Sequence, residues 1–281
     1  MYDVFRYVND IGGAVEFSYS SGLILTSGTS GLTHNNVDVS TSKGVGQTGE
    51  TLQSALVETR PINLEGFIQG LSVNGKEKLL DVILPEVPAK FYWNDEYYLS
   101  VTPTATPTIE AEDYFARFQF SVLAPYPYWI AKSGESKALF ELKPRFKFPF
   151  KFTEPYRFAE GMDGNPINIE NRGQVKTPFK VTFKASGTVI NPKLTNVTTG
   201  QFLLLNRTLW ANETVTIDIT HDLTYVTSNV DGDIRGDLDI DSDFFRLAVG
   251  DNFVLPEADM GKAAMQVIVE FASEKAGVPI R

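Results

Sequence analysis

The chain has 281 residues, of which 42% are hydrophobic, and a formal net charge of −10. This is enough apolar content for one large core or two ordinary ones, and it excludes overall disorder. With no cysteine, disulfides and thiolate-bound metal are excluded, and the acidic balance argues against sequence-specific nucleic-acid binding.

No apolar run approaches 18 residues, so no membrane insertion is expected. Met1–Arg6 lacks a basic region followed by an apolar run, so no cleaved signal is expected either. Abundant Phe and Tyr, with Gly and Pro recurring as punctuation, favour a mainly β chain. Residues Tyr2–Phe17 read as two strands about a turn at Gly12-Gly13, and Tyr19–Leu25 continues the β pattern. Residues 26–49 are rich in Ser, Thr, Gly and Asn, with an alternating Val37-Asp38-Val39. Two readings fit that composition: a surface loop, or an arm that orders against a neighbouring subunit.

Ser54–Ile68 reads as one long strand or a strand pair, with Leu56, Glu58, Arg60, Ile62, Leu64, Gly66 and Ile68 on one face. Pro61 marks an edge or a bulge. A short helix is predicted over 75–84, capped by Ser72 or Asn74 and ended by Pro85 and Pro88. Lys90–Trp93 and Tyr97–Val101 form a predicted hairpin about Asn94-Asp95-Glu96. The alternating Phe118–Leu123 leads into Ala124-Pro125-Tyr126-Pro127-Tyr128-Trp129. Two prolines end that strand and stiffen the residues around them. Pro125, Tyr126, Pro127, Tyr128 and Trp129 are therefore expected to form the structural junction between two halves of the chain.

Phe146–Phe152 alternates Phe with Lys or Pro and reads as a strand. Beyond Pro166, strands recur: Ile167–Ile169, Phe179–Ala185, Asn191–Thr198, Phe202–Leu205, Val215–Ile219, Leu223–Val226, Phe244–Leu247, Asn252–Val254 and Met265–Phe271. That spacing indicates a β-sandwich or barrel.

No residue set stands out for catalysis. His34 and His221 have no paired spacing. Gly44–Gly49 contains a GxGxxG string without a strand–helix frame. The acidic run Asp231–Asp243 fails a calcium-loop frame, since counting from Asp237 puts Ser242 at position 6 and Ala248 at position 12. It reads instead as a solvated strand face bearing Asp237, Asp239 and Asp241. No catalytic residue, cofactor or metal site is therefore assigned.

Three features together resemble the siphophage distal tail (Dit) family: Thr59-Arg60-Pro61-Ile62-Asn63-Leu64-Glu65-Gly66, the helix near Lys76–Leu84, and Ala124–Trp129. The family often has Cys and Asp where this chain has Ala124 and Tyr126. Asn171-Arg172-Gly173, Asn191-Pro192, Thr199-Gly200 and Val249-Gly250-Asp251-Asn252 echo turns of its second half. The resemblance implies an N-terminal β-barrel-like ring domain with one short helix over 1–130, with 26–49 as the candidate arm or belt. A C-terminal galectin-like or carbohydrate-module-like β-sandwich over 131–281 would come after it. It further implies a structural virion protein, a homohexamer at the distal end of the phage tail. Its partners would be the tail tube protein and the tail-tip, baseplate and receptor-binding proteins. Acidic charge facing the tail channel would let DNA slide without sticking. The alternative is a carbohydrate-binding protein contacting host cell-wall glycan through Trp210 and Tyr225, with Trp93 a third candidate, although core packing is the plainer role for all three.

Overall fold

The computed structural model describes residues 3–69, 73–111, 114–140, 143–144, 159–160 and 165–279. The chain forms two compact units, residues 1–133 with 274–281, and 134–273.

The first unit is built from β1 (Phe5–Asn9), β2 (Ala14–Phe17), β3 (Leu23–Leu25), β4 (Val37–Ser42), β5 (Thr51–Val57), β6 (Arg60–Gln69), α1 (Val73–Val82), β7 (Ala89–Trp93), β8 (Tyr97–Pro103), β9 (Thr108–Ala111), β10 (Phe115–Ala124) and β11 (Trp129–Ala131). Its main sheet runs β2-β1-β7-β8-β10-β6-β3. A bridge between Ser18 and Leu23 brings the end of β2 beside β3, so the sheet nearly closes. Strict alternation in β6 and β10 places Ile62, Leu64 and Ile68 with Phe118, Phe120 and Val122 in one core. Rings fill that core: Phe5 stacks on Phe91 at 5.4 Å, and Phe17 lies 5.9 Å from Phe120. A side chain at Gly66 would run into the Ile24 carbonyl and the Phe118 ring, so only glycine lets β3, β6 and β10 pack there.

The predicted hairpin forms as β7 and β8, with Asn94 and Asp95 both left-handed in its turn. The helix runs Val73–Val82 rather than 75–84 and buries Leu79 and Val82. Of the two expected caps, Ser72 lies outside the described residues, and Asn74 falls inside the helix as its second residue. Pro61 sits in the part of β6 that β3 does not reach, since β3 pairs only with Gly66–Ile68.

Tyr7 is fully buried, and among the described residues its hydroxyl has no hydrogen-bond partner. Burial, with help from nearby Asp10, pushes its pKa up to about 12. An orphaned buried hydroxyl costs about 1–3 kcal/mol. Tyr7→Phe should therefore raise the first unit's melting temperature, by about 2–4 °C per kcal/mol regained. Calorimetry reads this directly, and a lowered midpoint would show that the hydroxyl is satisfied.

The second unit contains β12 (Glu135–Phe140), β13 (Lys143–Pro144), β14 (Ala159–Glu160), β15 (Ile167–Asn171), β16 (Phe179–Ala185), β17 (Val189–Ile190), β18 (Lys193–Asn196), β19 (Phe202–Leu204), β20 (Thr208–Leu209), β21 (Thr214–Ile219), β22 (Thr224–Ser228), β23 (Gly232–Asp233), β24 (Gly250–Glu257) and β25 (Met265–Phe271). A six-stranded sheet, β12-β25-β16-β21-β22-β23, shares one core with a four-stranded sheet, β15-β24-β18-β19. Val181, Phe183, Ile217 and Val267 from the first meet Ile169, Leu194 and Val254 from the second, which makes a β-sandwich.

Two expected elements of this unit take a different form. Phe244–Leu247 is not a strand; only Leu247 makes a bridge, to Thr177. The acidic run is not an extended face but a short 3-10 turn, Arg235–Asp237, followed by irregular chain. Side chains dictate that course: Arg207 bonds Glu213 at 2.8 Å, Asp237 at 2.8 Å and also Asp231. Those bonds, led by the one to Asp237, raise the Arg207 pKa further. Asp239 accepts from Asn206 at 2.8 Å, which holds its carboxyl below the usual range. The Phe146–Phe152 segment lies outside the described residues.

Beyond the second unit, β26 (Glu274–Lys275) pairs with β11, with Trp129 opposite Lys275 and Ile130 opposite Glu274. The C-terminal unit, expected to run to 281, therefore ends at Ser273, and the residues after it belong to the first unit.

Candidate functional site

Two features of the first unit stand out: an uncovered hairpin, and the buried contacts at its root. The hairpin is β4 with β5, a two-stranded sheet of its own in which every residue is exposed. The expected strand through Ser54–Ile68 is in fact broken at Glu58-Thr59, and residues 51–57 belong to the arm. The arm therefore extends beyond the expected 26–49, running as strands from Val37 to Val57.

Its register explains its surface. Val37 faces Val57 and Val39 faces Ala55; a bulge then shifts the pairing so that Thr41 faces Leu52. Opposed residues share a face, so Val37, Val39, Thr41, Leu52, Ala55 and Val57 form one mainly apolar side, while Asp38, Ser40, Ser42, Thr51 and Ser54 lie on the other, where Leu56 opposite Asp38 is the apolar exception. Without the bulge, Leu52 would turn to the polar side. At the tip, the Gln47 side chain accepts from the Gly44 N–H at 2.9 Å and donates to Thr51 at 2.9 Å. An isolated two-stranded hairpin is marginal in water, and this one leaves its apolar side uncovered.

The root is tightly built. The Glu58 N–H donates to the Asn36 carbonyl at 3.0 Å and closes the arm's base. Arg60, only 1% exposed, donates to the Leu32 carbonyl at 3.0 Å and also to Asn35 Oδ1 and the Ala276 carbonyl. Burial pushes its pKa down to about 10, opposed by Tyr128, so it remains cationic at neutral pH. A cavity of about 220 Å³ opens beside it, lined by His34, Asn36, Pro61 and Ser121 among others. Nothing in the sequence marked Arg60 as buried except its place on the inward face of an alternating strand.

The proline-aromatic stretch lies next to this root. Trp129 is fully buried, packs 6.2 Å from Phe91, and donates from Nε1 to the same Leu32 carbonyl at 3.1 Å. Pro127 is buried and Pro125 exposed. The Tyr126 and Tyr128 rings meet edge to face at 5.4 Å, and the Tyr126 hydroxyl donates to Glu274 at 2.5 Å. All of these contacts are made within the first unit.

The aromatic residues weighed for glycan contact divide. Trp93 is buried and donates to Asp3 at 3.1 Å. Trp210 and Tyr225 are instead exposed, at 64% and 45%, so core packing is not their role.

Residues 172–272 match the family model for the siphovirus-type tail component, C-terminal domain. No curated protein matches. Among solved structures, the chain is similar to the phage SPP1 Dit protein, described as a paradigm of the hub adsorption apparatus in phages infecting Gram-positive bacteria. The two share 10% identity over 96% of this chain and 98% of that one, with a TM-score of 0.70. A chain of the phage P2 baseplate in its activated conformation with calcium is similar at 9% identity and a TM-score of 0.51, over 99% of this chain and all of that one. These are proteins of a phage adsorption hub and of a phage baseplate. The chain thus carries a siphovirus-type tail component C-terminal domain on residues 172–272 and has the fold of the Dit hub protein.

Proposed function

We propose that this protein is a structural, non-enzymatic hub at the distal end of a phage tail. It assembles as a hexameric ring, and the arm of each copy lies on the first unit of the next. The ring joins the tail tube to the tail-tip or baseplate proteins and, through them, to the host-adhesion apparatus. One observation carries this reading: a hairpin with a mainly polar side and a mainly apolar side, the apolar one uncovered in the single chain. A second copy is the occupant that resemblance and fold both favour. The Pro125–Trp129 stretch acts as the fixture from which the chain leaves the ring-forming unit.

The cysteine-free sequence makes a clean test available. Val45→Cys at the exposed arm tip, coupled to a photoreactive maleimide, should cross-link to residues 1–133 of another copy. Cross-links confined to the same chain would refute the arm's role between copies.

A second reading has its own support. Exposed Trp210 and Tyr225 suit the second unit to stacking on host glycan. Glycan-array binding that Trp210→Ala abolishes is its test.

A further inference from the structure

The arm's root is not completed by its sequence neighbours. Leu32 and Asn35 come just before the arm and Arg60 just after it, but the third acceptor of Arg60, the Ala276 carbonyl, lies 216 positions further on. Among the described residues Arg60 Nε has no partner, and all the acceptors of Arg60 are neutral oxygens. A buried cation held this way tolerates the loss of an acceptor poorly, because these neutral oxygens and nearby Tyr128 are what offset its desolvation.

The segment that supplies Ala276 is itself pinned at several points. Glu274 is 1% exposed and accepts from the Tyr126 hydroxyl. Lys275 pairs in the ladder with Trp129, whose indole shares the Leu32 carbonyl with Arg60. A Cβ at Gly277 would run into the Thr33 carbonyl, so only glycine allows this approach to the strand leading into the arm. Val278 is buried in the first unit's core. These contacts converge on residues 32–35, from which the arm departs.

We infer that Glu274–Pro279 locks the arm's socket and that Arg60 is the positioning residue through which it acts. The arm is held ready for a second copy only once this segment has docked. The segment follows the whole second unit in sequence, so a chain whose second unit is unfinished cannot present a fixed arm. Ring assembly is thereby gated on synthesis through the second unit. The inference rests on the reading of the arm as the contact between copies.

The test compares the full protein with a chain ending after Ser273. Hydrogen exchange at the Glu58 amide reports the root, because that amide closes the base on Asn36. Native mass spectrometry reports assembly. The truncated chain should exchange Glu58 at least about tenfold faster and assemble only at tenfold or higher concentration. Amides of β16 and β21 in the second unit should be unchanged. Unaltered Glu58 protection in the truncated chain would overturn the lock. Should truncation unfold the first unit as a whole, Gly277→Ala keeps the segment but forces it off Thr33. It should shift Glu58 exchange and assembly in the same direction, and no shift in either would overturn the inference. Arg60→Lys, which has no planar fork to reach three acceptors, should fall between wild type and truncation, whereas a purely space-filling role would be rescued by Arg60→Met. A full-length protein that never assembles, yet shows the Glu58 difference on truncation, would refute the arm reading and leave the lock standing.

Discussion

Replacing residues 38–56 with Asn-Gly is expected to yield a folded protein that no longer assembles. Val37 and Val57 are directly paired, so a two-residue turn joins them without disturbing the root. Every residue removed is exposed, so the melting temperature of the first unit should hardly move. Assembly should suffer heavily. Each apolar side chain buried against a neighbour contributes roughly 1.5–3 kcal/mol, and each 1.4 kcal/mol is about a tenfold change in affinity. Losing Val39 and Leu52 alone should weaken assembly about 100-fold or more. Val39→Asp with Leu52→Asp provides a milder version that keeps the hairpin's length. If either variant assembles at the wild-type concentration, the apolar side of the arm is not the contact.

The second large effect is thermodynamic. Trp129→Ala should cost the first unit about 3–5 kcal/mol, because it empties a fully buried site and removes the indole N–H donated to Leu32. Against a total of about 5–15 kcal/mol for an ordinary domain, that is a large share. Trp129→Phe keeps most of the apolar volume, and Arg60 still satisfies the Leu32 carbonyl, so its cost should be clearly smaller. Urea unfolding followed separately for the two units is the measurement. The midpoint of the second unit should stay fixed while that of the first falls. A Trp129→Ala protein within about 0.5 kcal/mol of wild type would mean the ring is not an essential part of that core.

Where burial has two sides, the architecture was legible in the sequence. The alternation through Arg60–Ile68, Phe118–Leu123, Phe179–Ala185 and Met265–Phe271 names the inward faces correctly, because period two leaves only one choice once a face is apolar. Asn94-Asp95 marks its turn because those residues tolerate a left-handed backbone. Tyr225 could have been recognised as exposed by the same logic, since Val226 beside it is buried and neighbours on a strand point to opposite faces.

The arm was legible only in part. Leu52 and Leu56 continue the alternation of the next strand, and pattern alone cannot separate an apolar face that meets its own core from one that awaits a partner. Only the register, with its bulge between Leu52 and Ser54, does so. The docking of Glu274–Pro279 was not legible at all. A buried glutamate, a carbonyl that accepts from an arginine more than 200 residues away, and a glycine chosen for close approach leave no local trace in composition or period. The acidic run misled for a related reason: Arg207, which organises Asp231 and Asp237, is distant in sequence, so the run read as a strand face.

Joining of copies through the arm into a closed ring is the central claim. The native mass of the intact protein in solution tests it most directly. A hexamer or a multiple of one is expected, dissociating to monomers when residues 38–56 are removed. A strict monomer at every accessible concentration would contradict the claim.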